Sequence, residues 1–233
     1  MAVIKTLKRL VPVFIKDGYR FITSKTDTAT AKKIFSEVKE KNVWGSSESV
    51  SGPGSTLSQT RTLVAELPVL FKEKNIKTLL DIPCGDFNWM KNIDLSGISY
   101  IGADIVDELI KENTEKYETE NRKFSVMDIV NDALPESDMV FVRDCLVHLS
   151  YRSIFKAVKN IKKSGSRYLL TTTFPGIDKN RETVSVAGWW RPLNLQLKPF
   201  MFPAPECIIV EKDGTDTDRK YKKSMGLWDI KKL

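Results

Sequence analysis

The sequence predicts an α/β fold: a doubly wound, mostly parallel seven-stranded sheet with a C-terminal β-hairpin. Three observations carry that reading. Short β-rich runs alternate with helical segments from residue 77 to residue 173. The runs are nearly continuous in apolar residues, as strands covered on both faces are. Three of them end in aspartate, at Asp81, Asp104 and Asp128, and strand tips in such sheets face ligand crevices.

Taken in chain order, the first segment, "MAVIKTLKRLVPVFIKDGYRFI", places Ile4, Leu7, Leu10, Val11, Phe14 and Ile15 at helical spacing beside basic residues. Lys5, Lys8, Arg9, Lys16 and Asp17 interrupt every apolar stretch below membrane-spanning length. Residues 1–30 therefore read as a basic amphipathic arm, either resting peripherally on an anionic membrane surface or packed on its own domain or a subunit. Pro12 works against one continuous helix. Residues 31–233 read as a single domain. "TATAKKIFSEVKEKN" is a short helix, "VWGSSESVSGPGST" a polar loop, and "LSQTRTLVAELPVLFKEKN" a longer helix with Pro68 inside it.

The strands follow as "KTLLDIP", "SYIGADI", "RKFSVMDI", "DMVFVRD" and "SRYLLTTT", with helices expected over "VDELIKENTEKY" and "YRSIFKAVKNIKKSG". Beyond Thr173 the alternation stops. Residues 174–204 are rich in aromatics and prolines and too long for an ordinary connection, which predicts a lid or pocket wall over a substrate. "ECIIVEK" and "KSMGLWDIKKL", separated by "DGTDTD", close the chain as a hairpin with a wide loop.

Net charge is +7, unevenly spread. Residues 1–25 carry six Lys/Arg against one Asp, and residues 211–233 carry seven against five acids, which leaves the centre neutral. A neutral body with basic arms argues against a nucleic-acid partner, which calls for a basic stripe across the folded surface. Cys84, Cys145 and Cys207 are odd in number and widely separated, with no metal-binding spacing, so a reducing, cytoplasmic compartment is expected.

The turn "DIPCGDF" at residues 81–87 is the most informative stretch. Gly85 lets backbone approach a ligand without a Cβ in the way, while Asp81 and Asp86 put negative charge beside it. A dinucleotide turn offers bare amides to pyrophosphate, which flanking carboxylates oppose. The expected ligand is positive near this turn. Asp104, about 20 residues after Gly85, suits the paired hydroxyls of a ribose. Asp128 is placed to accept a hydrogen bond from an exocyclic adenine amine. Each acid alone reads equally well as a helix cap or turn residue; it is the three together with "CGD" that point to a ligand.

The ordered set "LLDIPCGDF…YIGADI…FSVMDI…FVRDCLVHL" resembles the motifs of class I S-adenosylmethionine-dependent methyltransferases over roughly residues 55–175. Pro83 stands where that family usually has the first glycine of its turn, and only Gly85 remains. The resemblance implies a Rossmann-like methyltransferase fold, S-adenosyl-L-methionine as cofactor and S-adenosyl-L-homocysteine as product. It also implies that Asp81, Pro83, Cys84, Gly85, Asp86 and Arg143 lie at the methionyl end, Asp104 and Ile105 at the ribose, and Asp128 and Ile129 at the adenine. The pre-sheet loop would add Trp44, Ser51, Gly54 and Thr60.

After the fourth strand, "FVRDCLVHLS" supplies Arg143, Asp144 and His148, the chain's only histidine. Asp144 and His148 are the candidate bases for deprotonating an acceptor, with a structural ion pair and a helix-start histidine as the alternatives. No second acid is fixed by spacing beside Asp144, so no metal is expected. In "GWWRPLNLQLKPFMFP", Trp190, Arg191 and Asn194 suit a sugar ring or planar acceptor, or plain lid packing. The combination of "VWGSSESVSGPGS", "DIPCGDFNWM" and "RDCLVHLS" resembles a small bacterial and viral methyltransferase branch linked to surface-glycan and capsule synthesis. That implies O-methylation of a sugar hydroxyl of a glycan or its precursor. A small, even phosphorylated, metabolite, RNA methylation and a non-catalytic cofactor-binding module are the alternatives.

Overall fold

This computed structural model describes residues 28–182, 190–211 and 221–233. The β-rich runs become β1 (Thr78–Asp81), β2 (Ser99–Asp104), β3 (Arg122–Val126), β4 (Met139–Val142), β5 (Tyr168–Thr173), β6 (Cys207–Val210) and β7 (Ser224–Asp229). They form one sheet in the order β3-β2-β1-β4-β5-β7-β6. The first five pair in parallel, while β7 runs antiparallel to both β5 and β6. The strand order reverses between β1 and β4, which creates the crevice position of an open α/β sheet.

Among the described residues four α-helices accompany the sheet: α1 (Thr28–Glu40), α2 (Leu57–Glu73), α3 (Asp107–Tyr117) and α4 (Tyr151–Lys163). Because successive strand side chains point to opposite faces, β1, β2, β4, β5 and β7 each feed two cores, while the edge strands β3 and β6 bury only Phe124 and Ile209, both in the first. Leu79, Tyr100, Phe141, Leu170 and Leu227 pack with Leu63 and Leu67 of α2 and Ile110 of α3. Leu80, Val140, Val142, Leu169 and Trp228 pack on the other side with Ile154, Ala157 and Ile161 of α4. Apolar side chains on both faces explain why the strand runs lack period-two alternation.

The helix start at Thr28 places the expected boundary between residues 30 and 31 inside α1. The rest of the basic arm lies outside the described residues. Pro68 sits within α2, where its missing N–H leaves one carbonyl of the preceding turn without its helical donor. The C-terminal strands pair as a hairpin, and its connection over residues 212–220 is outside the described residues. Among the described residues no helix is long and apolar enough to cross a membrane.

Of the segment expected as a lid or pocket wall, residues 183–189 lie outside the described residues. Leu193, Leu195, Phe200 and Phe202 are buried in the second core, and Phe202 meets Trp228 edge-on with ring centroids 5.4 Å apart. Its apolar side chains cover the sheet, and only Trp190 of its described residues reaches the central cavity.

Candidate functional site

The β1 tip is built by exchanging ladder bonds for loop bonds. Asp81 ends the strand, Cys84 N–H donates to Ala103 O at 2.8 Å, and Gly85 N–H donates to Asp104 Oδ2 at 3.1 Å. Asn113 Nδ2 of α3 donates to Gly85 O at 2.8 Å. Gly85 has φ +57°, and a Cβ added there would stand 2.3 Å from Ser51 Oγ. Only glycine fits on both counts.

Asp86 is the clip that holds the pre-sheet loop against this turn. Its carboxylate accepts from Ser49 Oγ at 3.0 Å, Val50 N–H at 2.9 Å and Ser51 Oγ at 3.2 Å. Its own N–H donates to Ser51 Oγ at 3.0 Å. The side chain expected to meet a methionyl group thus has several protein partners, and its described role is to fix the loop wall carrying Ser51 and Gly54.

A cavity of about 520 Å³ opens at the carboxyl ends of β1, β2 and β4, within the range of small-molecule sites. Asp81, Asp104 and Asp128 all line it, as do Pro83, Cys84, Gly85, Asp86, Ile105 and Ile129. Asp81 accepts a 2.6 Å hydrogen bond from Tyr100 Oη, yet burial pushes its carboxyl up to about 7. Asp104 is pushed up to about 6 by burial, against the lowering effect of the Val106 and Gly85 amides. Buried carboxylates with few cationic partners resist ionisation, so these walls favour a ligand that brings positive charge. Asp128 is satisfied locally: Val130 N–H donates to Oδ1 at 2.8 Å, and Thr28 Oγ1 and Asn131 Nδ2 each donate to Oδ2 at 2.7 Å.

The cavity is also lined by Trp44, Ser51, Gly54, Arg143, Asp144, His148 and Trp190. Asp144 sits at φ +51°, a left-handed conformation uncommon outside glycine. Its N–H donates to Thr172 Oγ1 at 2.9 Å, and Lys223 Nζ lies 2.5 Å from its Oδ2. Arg143 Nη1 is 3.3 Å from the same oxygen, while Arg143 Nη2 is 2.6 Å from Glu211 Oε2 and donates to Gly54 O at 2.8 Å. Two cations and two carboxylates thus balance within one buried cluster. Burial opposes ionisation of Asp144, but Lys223 and Arg143 outweigh it and hold the carboxyl below its usual range.

His148 has the opposite setting. Burial pushes the imidazole down to about 4, with Asp144 opposing that shift and the charges of Arg191 and Lys223 adding to it. Its ring faces Trp44 at 5.8 Å, tilted by 33°. Its Nδ1 is buried and has no hydrogen-bond partner among the described residues. The setting favours the neutral ring at pH 7.

Three residues expected at the ligand lie elsewhere. Thr60 is fully buried in α2 and donates to Thr56 O at 2.8 Å. The Arg191 guanidinium donates to the carbonyls of Arg181, Val147 and Leu149. Asn194 accepts from Gln196 N–H, and its backbone exchanges hydrogen bonds with the Asn180 side chain. Thr60 adds a second donor to a carbonyl that already accepts its own N–H, while Arg191 and Asn194 satisfy backbone groups that irregular chain leaves open.

Conversely, Ala31, Phe35 and Lys39 of α1, together with Gln59 and Lys223, line the cavity without having been anticipated. The helical spacing of Ile34, Phe35 and Val38 was a signal that α1 packs on something. Lys223 had none, since a lysine before a strand looks solvated until its carboxylate partners are brought near. Among the described residues no group of three or more His, Cys, Asp or Glu side chains is arranged to hold a metal.

No protein-family model matches the sequence, and no curated protein matches it. Solved structures do match in fold. Magnesium protoporphyrin IX methyltransferase from Synechocystis PCC 6803 with bound SAM gives a TM-score of 0.60 at 12% identity, over 88% of this chain and 97% of that one. An S-adenosylmethionine-dependent methyltransferase from Clostridium acetobutylicum ATCC 824 gives 0.55 at 11% identity, over 72% and 91%. Human N-acetylserotonin methyltransferase in complex with SAM gives 0.52 at 15% identity, over 87% and 56%. The chain therefore has the Rossmann-like fold of the S-adenosylmethionine-dependent methyltransferases, with its acid-tipped cavity at the crevice that fold provides.

Proposed function

We propose that the protein is an S-adenosylmethionine-dependent O-methyltransferase whose acceptor is a sugar hydroxyl of a glycan or glycan precursor. The observation that carries the methyltransferase reading is the joint placement of Asp81, Asp104 and Asp128 on one cavity wall beside Gly85. The residues fit the cofactor's chemistry. Asp104 accepts from the Gly85 and Val106 amides, with the Ile105 amide also acting on it, and its remaining lone pairs face the cavity where a ribose diol would lie. Asp81 meets positive charge near the turn, and Ile105 and Ile129 offer apolar surface to a base. Asp128 has less capacity left, since three donors already address it.

The bound cofactor supplies a carbon activated by sulfonium. The chain's own residues then align an acceptor oxygen and receive its proton as the new O–C bond forms and the S–C bond breaks. His148 is assigned as that base. Its ring is neutral, and a hydroxyl that is acquiring a methyl group becomes acidic enough for a weak base. Asp144, ion-paired on both sides, holds the β4 tip and the local charge balance. Trp44 and Trp190 flank the acceptor end and suit the apolar face of a sugar ring.

The reading is tested by incubating purified protein with methyl-labelled S-adenosylmethionine and separate panels of nucleotide sugars, oligosaccharides, small phosphorylated acids and RNA. Label in the sugar panels that is stable to base, as an ether is, supports it. Transfer to the non-sugar panels alone replaces the acceptor assignment. No transfer to any panel, together with no binding of the cofactor, rejects the enzyme assignment.

A further inference from the structure

The outer face of α4 combines charge and exposed apolar surface in a way that the cavity chemistry does not use. The helix carries Arg152, Lys156, Lys159, Lys162 and Lys163 and no acidic residue, and residues 190–205 add Arg191 and Lys198, again with no acid. Ile154, Ala157 and Ile161 face the core, which turns Arg152, Lys159 and Lys163 outward. Among the described residues no ion pair engages Arg152, Lys159, Lys163 or Lys198. The neighbouring carboxylates lie at the margins: Glu182 near Arg191, Asp132 below Asn160, and Glu136 beside Gly165.

Within this cationic field two large apolar side chains project. Phe155 is 47% exposed and Met201 61%. They are linked through buried Phe200, the chain neighbour of Met201, whose ring packs against Phe155 at 5.6 Å and Tyr151 at 5.1 Å. Met201 does not protrude for want of a fold. Phe200 and Met201 N–H both donate to Leu197 O, and Phe202 N–H donates to Leu195 O. This turn buries Phe200 and Phe202 and holds Met201 between them at φ +54°, a conformation with a cost for a non-glycine residue.

We propose that the α4 face centred on Phe155 and Met201 is a docking surface for an anionic lipid bilayer. Lysine and arginine around protruding apolar side chains match an anionic headgroup layer over an acyl interior, and each component binds weakly without the other. A nucleic acid would match the charge but leave Phe155 and Met201 without a partner. The patch adjoins the cavity rim: the Arg191 guanidinium lies over the Tyr151 ring at 5.6 Å, and its chain neighbour Trp190 lines the cavity. Docking would bring the cavity mouth toward the membrane.

The test is flotation of the full chain with vesicles of phosphatidylcholine alone or with added phosphatidylglycerol, comparing wild type with F155S/M201S and K159E/K163E. All substituted side chains are solvent-exposed, and thermal melts check that the fold is kept. The inference predicts binding only to the anionic vesicles, with each double variant reduced about tenfold or more. It is overturned if the wild type ignores anionic vesicles or if both variants bind as the wild type does, which would assign any binding to residues 1–25. It is also overturned if the variants lose RNA binding while vesicle binding is unchanged.

Discussion

Lys223 Nζ lies 2.5 Å from Asp144 Oδ2, tying the residue before β7 to the tip of β4 beside His148. The two candidate bases are thereby separated in role. Asp144 is held ionised by Lys223 and Arg143, which makes it a reluctant proton acceptor, while His148 is neutral and half-buried at the cavity.

His148→Ala is expected to lower kcat/KM by about 100-fold or more, the usual contribution of a positioned base, with cofactor affinity unchanged in calorimetry. Asp144→Asn, which keeps the shape but loses the charge, should cost less than about tenfold in the same assay if its role is positional. The reverse order of effects would move the base to Asp144.

The pH profile follows from the direction of the histidine shift. With a folded pKa near 4, His148 is in its active neutral form throughout the neutral range, and kcat at saturating cofactor, where the titration of Asp81 and Asp104 no longer limits binding, should fall only as pH drops below about 5. An acid limb centred near 6.5, the unperturbed value, would show that the ring is not in this environment.

Lys223→Met removes one partner of a buried pair and leaves Asp144 and Glu211 with Arg143 alone. The expected loss is on the order of 3 kcal/mol in urea unfolding. Lys223 also disfavours protonation of His148, so the acid limb of activity should move to higher pH in this variant. A merely structural role would change the stability and leave the limb in place.

Asp81 supplies a second pH test. Its carboxyl is raised to about 7 by burial, so in the free protein it holds a proton through the mildly acidic range. A cationic ligand favours the ionised form, and binding should then release protons. Affinity is expected to increase from pH 5 to pH 7.5, measured in buffers of differing ionisation heat. Asp81→Asn should flatten that slope.

Much of the architecture was legible because the chemistry was local. Apolar runs gave β1 to β5, with acid tips marking the first three, and Gly85 beside two aspartates gave the turn. Other features depend on distant partners. Asp86 lines the cavity as expected, but its hydrogen bonds to the loop at Ser49 and Ser51 had no signal in the sequence. Arg191 and Asn194 had the composition of a sugar pocket, yet the irregular segment around them needs their hydrogen bonds for its own backbone. Of the described residues of that segment only Trp190 reaches the cavity, while Leu193, Leu195, Phe200 and Phe202 are buried in the second core. Lys223 became visible only through Asp144, 79 residues earlier.

The central claim is that strand-tip carboxylates form one cradle for a sulfonium-bearing nucleoside, and titration calorimetry of S-adenosylmethionine into wild type and Asp104→Ala tests it most directly. The account predicts saturable one-to-one binding to the wild type and an affinity more than about tenfold weaker in the variant, as expected when buried acceptors for two ribose hydroxyls are lost. Absence of binding to the folded wild-type protein, or equal affinity in the two proteins, would contradict it.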